Sequence, residues 1–210
     1  MTEGPVCYIV GAGENHGLDF VPAPGDFVIA ADAGLNYLTA AGIRADRVIG
    51  DFDTLGHRPE HPDIVELCPE KDITDMYAAV REGIALGYRT FCLYCGMGGR
   101  VEHSIANLQM IAGLSKEGVT AFLFDNGNVI TALTNGKLTL GAFPAGFVSV
   151  FAHSDRAEGV TIRGLKYTLE NAVLTNTFPL GVSNEYTGET AEISVENGTL
   201  LIVTPKGMPF

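Results

Sequence analysis

Up to about residue 127 the chain alternates short apolar runs with stretches whose apolar residues recur at helical spacing; beyond that point the alternation stops. The apolar runs fall at 6–10, 27–31, 48–49, 64–67, 90–94 and 119–124. Between them, Leu35, Leu38 and Ala41 mark one helix closed by Gly42. Met76, Ala79, Val80, Gly83 and Ile84 mark a second, and Ile105, Leu108, Ile111 and Ala112 a third that begins near His103. Strands separated by helices can pair in parallel, which predicts an α/β, Rossmann-like domain over residues 1–127. After it come strand-like segments at 129–133, 137–140, 147–151, 159–163, 172–175, 191–195 and 200–203, with Asn135-Gly136 and Asn197-Gly198 as turns. That texture predicts an all-β sandwich or roll over residues 128–210. A β unit of that size buries a small core, so it is expected to pack on the first domain or on a partner chain.

In a parallel α/β fold, ligands bind beyond the carboxyl ends of the strands. Here the second run delivers Asp32, and the third delivers Asp51 and Asp53 within Gly50-Asp51-Phe52-Asp53-Thr54. On an extended backbone two such carboxylates point the same way, and they repel unless a cation sits between them. A hard divalent ion, Mg²⁺ above all, suits carboxylates shared with phosphate oxygens. An exposed Asp-rich turn explains the D-x-D alone equally well, but not two successive strands that end in aspartate. Lys71-Asp72-Ile73-Thr74-Asp75 precedes the second helix, where Asp and Thr also serve as caps. Gly96-Met97-Gly98-Gly99-Arg100 precedes the third, either as an anion site of free amides and a guanidinium or as a flexible turn. Gly11-Ala12-Gly13 could bring amides to a phosphate, although the full dinucleotide spacing is absent.

A formal net charge of -12 argues against nucleic acid as a partner. Cys7 and Cys92 lie in apolar runs and read as buried thiols; the Cys92-x-x-Cys95 pair raises redox or zinc chemistry, but no second pair stands at zinc spacing and Leu93-Tyr94 continues a strand pattern. With no basic, apolar leader and no run long enough to span a membrane, the expectation is a soluble protein of the reducing cytoplasm.

Taken in order, these motifs resemble those of the thiamine pyrophosphokinase family. The likeness is carried by Ala31-Asp32-Ala33-Gly34, the Gly50–Thr54 segment, Lys71–Asp75, and Gly98-Gly99-Arg100-Val101-Glu102-His103 with Asn107 after it. Gly164-Leu165-Lys166-Tyr167 and Gly181-Val182-Ser183-Asn184-Glu185 extend it into the β-rich part. The resemblance implies transfer of a pyrophosphoryl group from ATP to thiamine with Mg²⁺, in a homodimer whose active site is shared between subunits. It implies that Asp32, Asp51, Asp53 and Asp75 hold the metal and orient the triphosphate. Arg100, Asp72 and Asn107 would bind substrate beside them, and Ser183 and Asn184 would bind thiamine. Two positions depart from the family pattern. Glu102 stands where Asp is usual, and no Trp offers a platform to thiamine, leaving Phe178 or Tyr186 to do so. The aspartates and Arg100 would serve another acceptor, or water, as well; a non-catalytic thiamine- or nucleotide-binding regulator is the remaining alternative.

Overall fold

The computed structural model describes residues 4–68, 70 and 72–207, so Lys71 of the predicted motif lies outside the described residues. The chain forms two compact units, one of residues 4–110 and 121–126, the other of residues 111–120 and 127 onward.

The first unit holds β1 (Val6–Val10), β2 (Phe27–Ala31), β3 (Arg47–Gly50), β4 (Ile64–Glu66), β5 (Thr90–Tyr94) and β6 (Thr120–Asp125), in the order β6-β5-β1-β2-β3-β4. The ladder from β5 through β1, β2 and β3 to β4 is parallel throughout. Strands enclosed on both faces lose the polar–apolar alternation; β2, Phe-Val-Ile-Ala-Ala, buries its last four residues. Strand order runs one way from β1 to β4 and the other way through β5, so the sheet reverses direction beside β1. Such a reversal parts the connecting loops and leaves a crevice at the carboxyl ends of the strands.

Three helices, α1 (Gly34–Ala40), α2 (Asp75–Ala85) and α3 (Val101–Lys116), fall where the periodicity predicts them. Gly42, at φ +68°, follows the end of α1. Thr74 is the N-cap of α2, its Oγ1 accepting from the Tyr77 amide at 3.2 Å, so the capping role foreseen for this segment belongs to Thr74. On α3 the apolar stripe starts later than its spacing suggests: Ile111 and Ala112 are buried, but Ile105 is 52% exposed. Arg47 joins the far edge of this sheet to α2. It donates to both carboxylate oxygens of Asp63, at 3.0 and 2.9 Å, and to Glu82, and lies 5.9 Å from the Phe27 ring centroid. The Arg47 hydrogen bonds hold the Asp63 carboxyl below its ordinary range.

The second unit contains β7 (Asn128–Leu140), β8 (Phe147–Ala152), β9 (Arg156–Arg163), β10 (Leu169–Thr175), β11 (Gly181–Glu185) and β12 (Ala191–Pro205). Its pairings are antiparallel. Here the sequence expectation fails at both Asn-Gly pairs. Each lies inside a single long strand, and the two pairs meet across the ladder: the Gly198 amide donates to Asn135 Oδ1 at 2.8 Å. The register of β12 on β7 shifts between Val195 and Thr199. Before the shift Ala191, Ile193 and Val195 are buried; after it Leu200, Ile202 and Thr204 are. A strand without the bulge would turn its second half outward, because side chains alternate with a period of two. Asn and Gly suit the turn reading and the bulge alike, since both tolerate positive φ; Asn135 is at +45° and Gly198 at +124°. One edge of β12 pairs with β7 along its length, while the other pairs first with β9 and then with β8. Val148, Val150, Val160, Ile162, Ile193 and Ile202 fill the core they enclose, each contributing about 1.5–3 kcal/mol by burial.

Candidate functional site

A cavity of about 810 Å³ opens in the first unit, beyond the carboxyl ends of β1, β2, β3 and β5 and at the starts of α2 and α3. Its volume is in the range of small-molecule sites. Asp32, Asp51, Asp53, Asp72 and Asp75 all line it, as do Arg100, His103 and Asn107.

The sequence-predicted aspartates divide there. Oxygens of Asp32, Asp51 and Asp53 lie within 4.8 Å of one another, while Asp72 and Asp75, at the start of α2, stand outside that group. Asp32 is 4% exposed, and its Oδ1 has no hydrogen-bond partner among the described residues. A buried carboxylate oxygen left in this state is costly unless a cation completes it. The three-carboxylate donor set, all hard oxygen, fits Mg²⁺. The route by which Asp51 and Asp53 converge differs from the extended one expected. β3 ends at Gly50, and Phe52 is left-handed at φ +60° with its ring buried in the core. The chain thus turns between the two aspartates, and the Asp53 amide faces Asp51 Oδ1 at 3.4 Å. Asp32 at φ +49° and Cys95 at +53° repeat the conformation after β2 and β5. Left-handed non-glycine residues carry strain of order 1–3 kcal/mol each, and such strain gathers at functional sites.

Across the cavity, both glycine amides of the turn after β1 are already engaged, contrary to what the sequence suggests. The Gly11 amide donates to Tyr94 O at 2.9 Å, Gly13 to Cys95 O at 2.8 Å and Glu14 to Met97 O at 2.9 Å. These bonds lash the β1 loop to the β5 loop. Asn107, 5% exposed, donates from Nδ2 to Gly96 O at 2.6 Å and so fixes the glycine turn ahead of α3. Arg100 is exposed and donates from Nε to Glu102 at 2.7 Å. Backbone and Arg100 hydrogen bonds lower the Glu102 carboxyl below its ordinary range. Glu14, which the sequence reading did not single out, also lines the cavity; a lone Glu after Gly-Ala-Gly gives no pattern by which to find it.

Ser183 and Asn184 belong to the second unit. Asn184 is buried and engaged with backbone on both sides of its amide: Oδ1 accepts from the Tyr167 and Glu185 amides, each at 2.9 Å, and Nδ2 donates to Tyr167 O at 2.6 Å. Ser183 is exposed at φ +58°. Of the two aromatic candidates, Tyr186 is 7% exposed and packs on Phe143 in the core, whereas Phe178 is 63% exposed. Burial pushes the Cys92 and Cys95 thiols up to about 12 and about 11, which disfavours the thiolate that metal binding or redox exchange needs.

Two family models match the chain: the catalytic domain of thiamin pyrophosphokinase over residues 23–123, and the vitamin B1 binding domain of the same family over residues 144–200. The chain is 26% identical over 183 residues to the thiamine pyrophosphokinase of Bacillus subtilis, covering 83% of this chain and 85% of that one. Thiamin pyrophosphokinase from Geobacillus thermodenitrificans superposes with a TM-score of 0.83 at 26% identity, over 96% of this chain and 97% of its own. The Candida albicans enzyme, at 14% identity, shares the fold with a TM-score of 0.74 over 96% of this chain and 90% of its own.

Proposed function

The chain belongs to the thiamin pyrophosphokinase family, and from that premise we propose that it transfers the pyrophosphoryl group of ATP to the hydroxyl of thiamine, giving thiamine diphosphate and AMP. The observation that carries the reading is the convergence of Asp32, Asp51 and Asp53, with a buried Asp32 oxygen left without a partner among the described residues. These three residues would hold Mg²⁺. Bound there, the ion supplies charge neutralisation for the transferring group. Asp72 and Asp75 orient the triphosphate from the α2 side of the cavity. Arg100 and the glycine turn before α3 receive phosphate oxygens, and Asn107 keeps that turn in shape. Catalysis is then chiefly alignment of the thiamine hydroxyl with the β-phosphorus, for which the strained strand ends provide a rigid frame.

In this proposal residues 1–127 form a Rossmann-like ATP- and Mg²⁺-binding domain, and residues 128–210 the thiamine-binding and dimerisation domain. Ser183 offers its hydroxyl to thiamine while Asn184 positions the Lys166-Tyr167 turn, and exposed Phe178 takes the place of the missing Trp. Two subunits share each active site in the cytoplasm. Exposed Phe147, Phe178, Leu180 and Val182 in the second unit favour a partner surface. Sedimentation at the mass of one chain at micromolar concentration counts against the dimer. Among the described residues no helix is long and apolar enough to cross a membrane.

The test of function is AMP release with Mg²⁺ and ATP, run with and without thiamine. AMP and thiamine diphosphate are expected in equal amounts, and only when both substrates are present. AMP without thiamine indicates a hydrolase, and thiamine binding without turnover a regulator. Arg100→Lys keeps the charge but loses the fork that holds two oxygens at once. We expect KM for ATP to rise roughly tenfold, the worth of one charge-assisted hydrogen bond, with the Kd of thiamine unchanged. An unaltered KM for ATP returns Arg100 to a solvated turn.

A further inference from the structure

We infer that Glu14 stands in for phosphate at the glycine turn ahead of α3 and must leave it for the triphosphate to bind, so that it sets the affinity of the site for polyphosphate. The inference rests on the proposed ATP-binding role of this cavity.

Gly98 and Gly99 are both left-handed, at φ +74° and +61°, and only Arg100 separates them from the 16-residue α3. Consecutive amides in such a turn, beside a helix start, make a concave site for an anion. Glu14 already supplies one: the Gly99 amide donates to Glu14 Oε1 at 3.1 Å. The same side chain lies over Gly98, where an added Cβ would come within 2.5 Å of the Glu14 carboxyl carbon, so the absence of a side chain at Gly98 makes room for it. On its far side, Glu14 Oε2 stands 3.4 Å from His16 Nε2, which is 3.4 Å from Asp125 Oδ1. The side chain therefore has a resting place with contacts at both oxygens.

A phosphate oxygen seated on the Gly99 amide takes the position that Glu14 Oε1 holds. The two anions also repel, and five aspartates line the same cavity. Displacement is sterically open, because the Glu14 side chain is 58% exposed and can swing into solvent. Glu14 falls outside both stretches matched to the family models, so nothing in that match accounts for it.

If Glu14 were only a structural staple of the turn, its loss would loosen the site and weaken binding. Competition predicts the opposite sign. The experiment is calorimetric titration of the full chain with tripolyphosphate in excess Mg²⁺, for wild type, Glu14→Gln and Glu14→Ala. Glu14→Gln keeps an oxygen acceptor for the Gly99 amide and removes the charge; Glu14→Ala removes both. Kd is expected to fall in both variants by roughly two- to tenfold, the worth of one exposed hydrogen bond and its charge. An unchanged or higher Kd in either variant overturns the inference. Wild-type turnover of ATP and thiamine is measured alongside. Its absence defeats the functional reading but leaves the tripolyphosphate result to decide on Glu14.

Discussion

Asp51→Asn and Asp53→Asn are each expected to lower turnover by roughly 10²–10³-fold, the usual loss when one preorganised electrostatic group is removed. Both residues lie on the turn after β3, Asp51 half-buried and Asp53 exposed, so an isosteric amide leaves packing untouched. In the metal-free protein three carboxylates crowd within 4.8 Å, and removing one charge relieves repulsion. Melting temperature without Mg²⁺ should therefore hold or rise. The stabilisation that Mg²⁺ gives the wild type by binding the folded state should shrink in both variants. Turnover near wild type at saturating Mg²⁺, together with an undiminished Mg²⁺-induced shift, would falsify the cluster as the metal site.

Gly34→Ala should cost about 3 kcal/mol or more, the upper end for steric overpacking, and lower the melting temperature by roughly 10 °C in a chain of this length. The reason is not backbone freedom, since Gly34 is not among the positive-φ residues. A Cβ there would stand 1.9 Å from Val10 O and 2.6 Å from Val10 C, both main-chain atoms of β1 that cannot turn aside. Two residues before it, Asp32 depends on the same close approach of the β2 turn to β1. Gly113, within α3, is the control, because nothing lies within 4 Å of its added Cβ. Gly113→Ala should be neutral or stabilise by up to about 1 kcal/mol through helix propensity. Equal melting temperatures for Gly34→Ala and wild type would mean that α1 and β1 are not in contact as described.

What the sequence made legible follows from periodicity. Alternating strands and helices placed Asp32, Asp51 and Asp53 at strand ends, and those three do converge. Thr74 was readable as a cap because capping is local chemistry. Contacts between distant segments were not readable. The Gly11 and Gly13 amides looked free until the carbonyls at the end of β5 were brought beside them. The resemblance pointed to Asn184 as a thiamine-binding group, but not to the bonds that its amide makes with the backbone at Tyr167 and Glu185. The Asn-Gly pairs misled because the same two residue types suit a tight turn and a bulge, and only the partner strand decides between them. Glu14 had no local mark at all, its significance lying in an amide 85 residues away.

β12 comes last in chain order among the strands of its unit, yet it pairs with β7, β8 and β9. Until it arrives during synthesis, each of those strands has an edge of unpaired amides and carbonyls, and the apolar faces meant for Ile193, Leu200 and Ile202 stay open to water. β9 can pair early with β10, which follows it directly, but the edge of β7 that takes β12 waits for a strand beyond four intervening ones, and pairing at such separation is slow. The nascent unit thus waits, sticky and incomplete, for a single fifteen-residue segment.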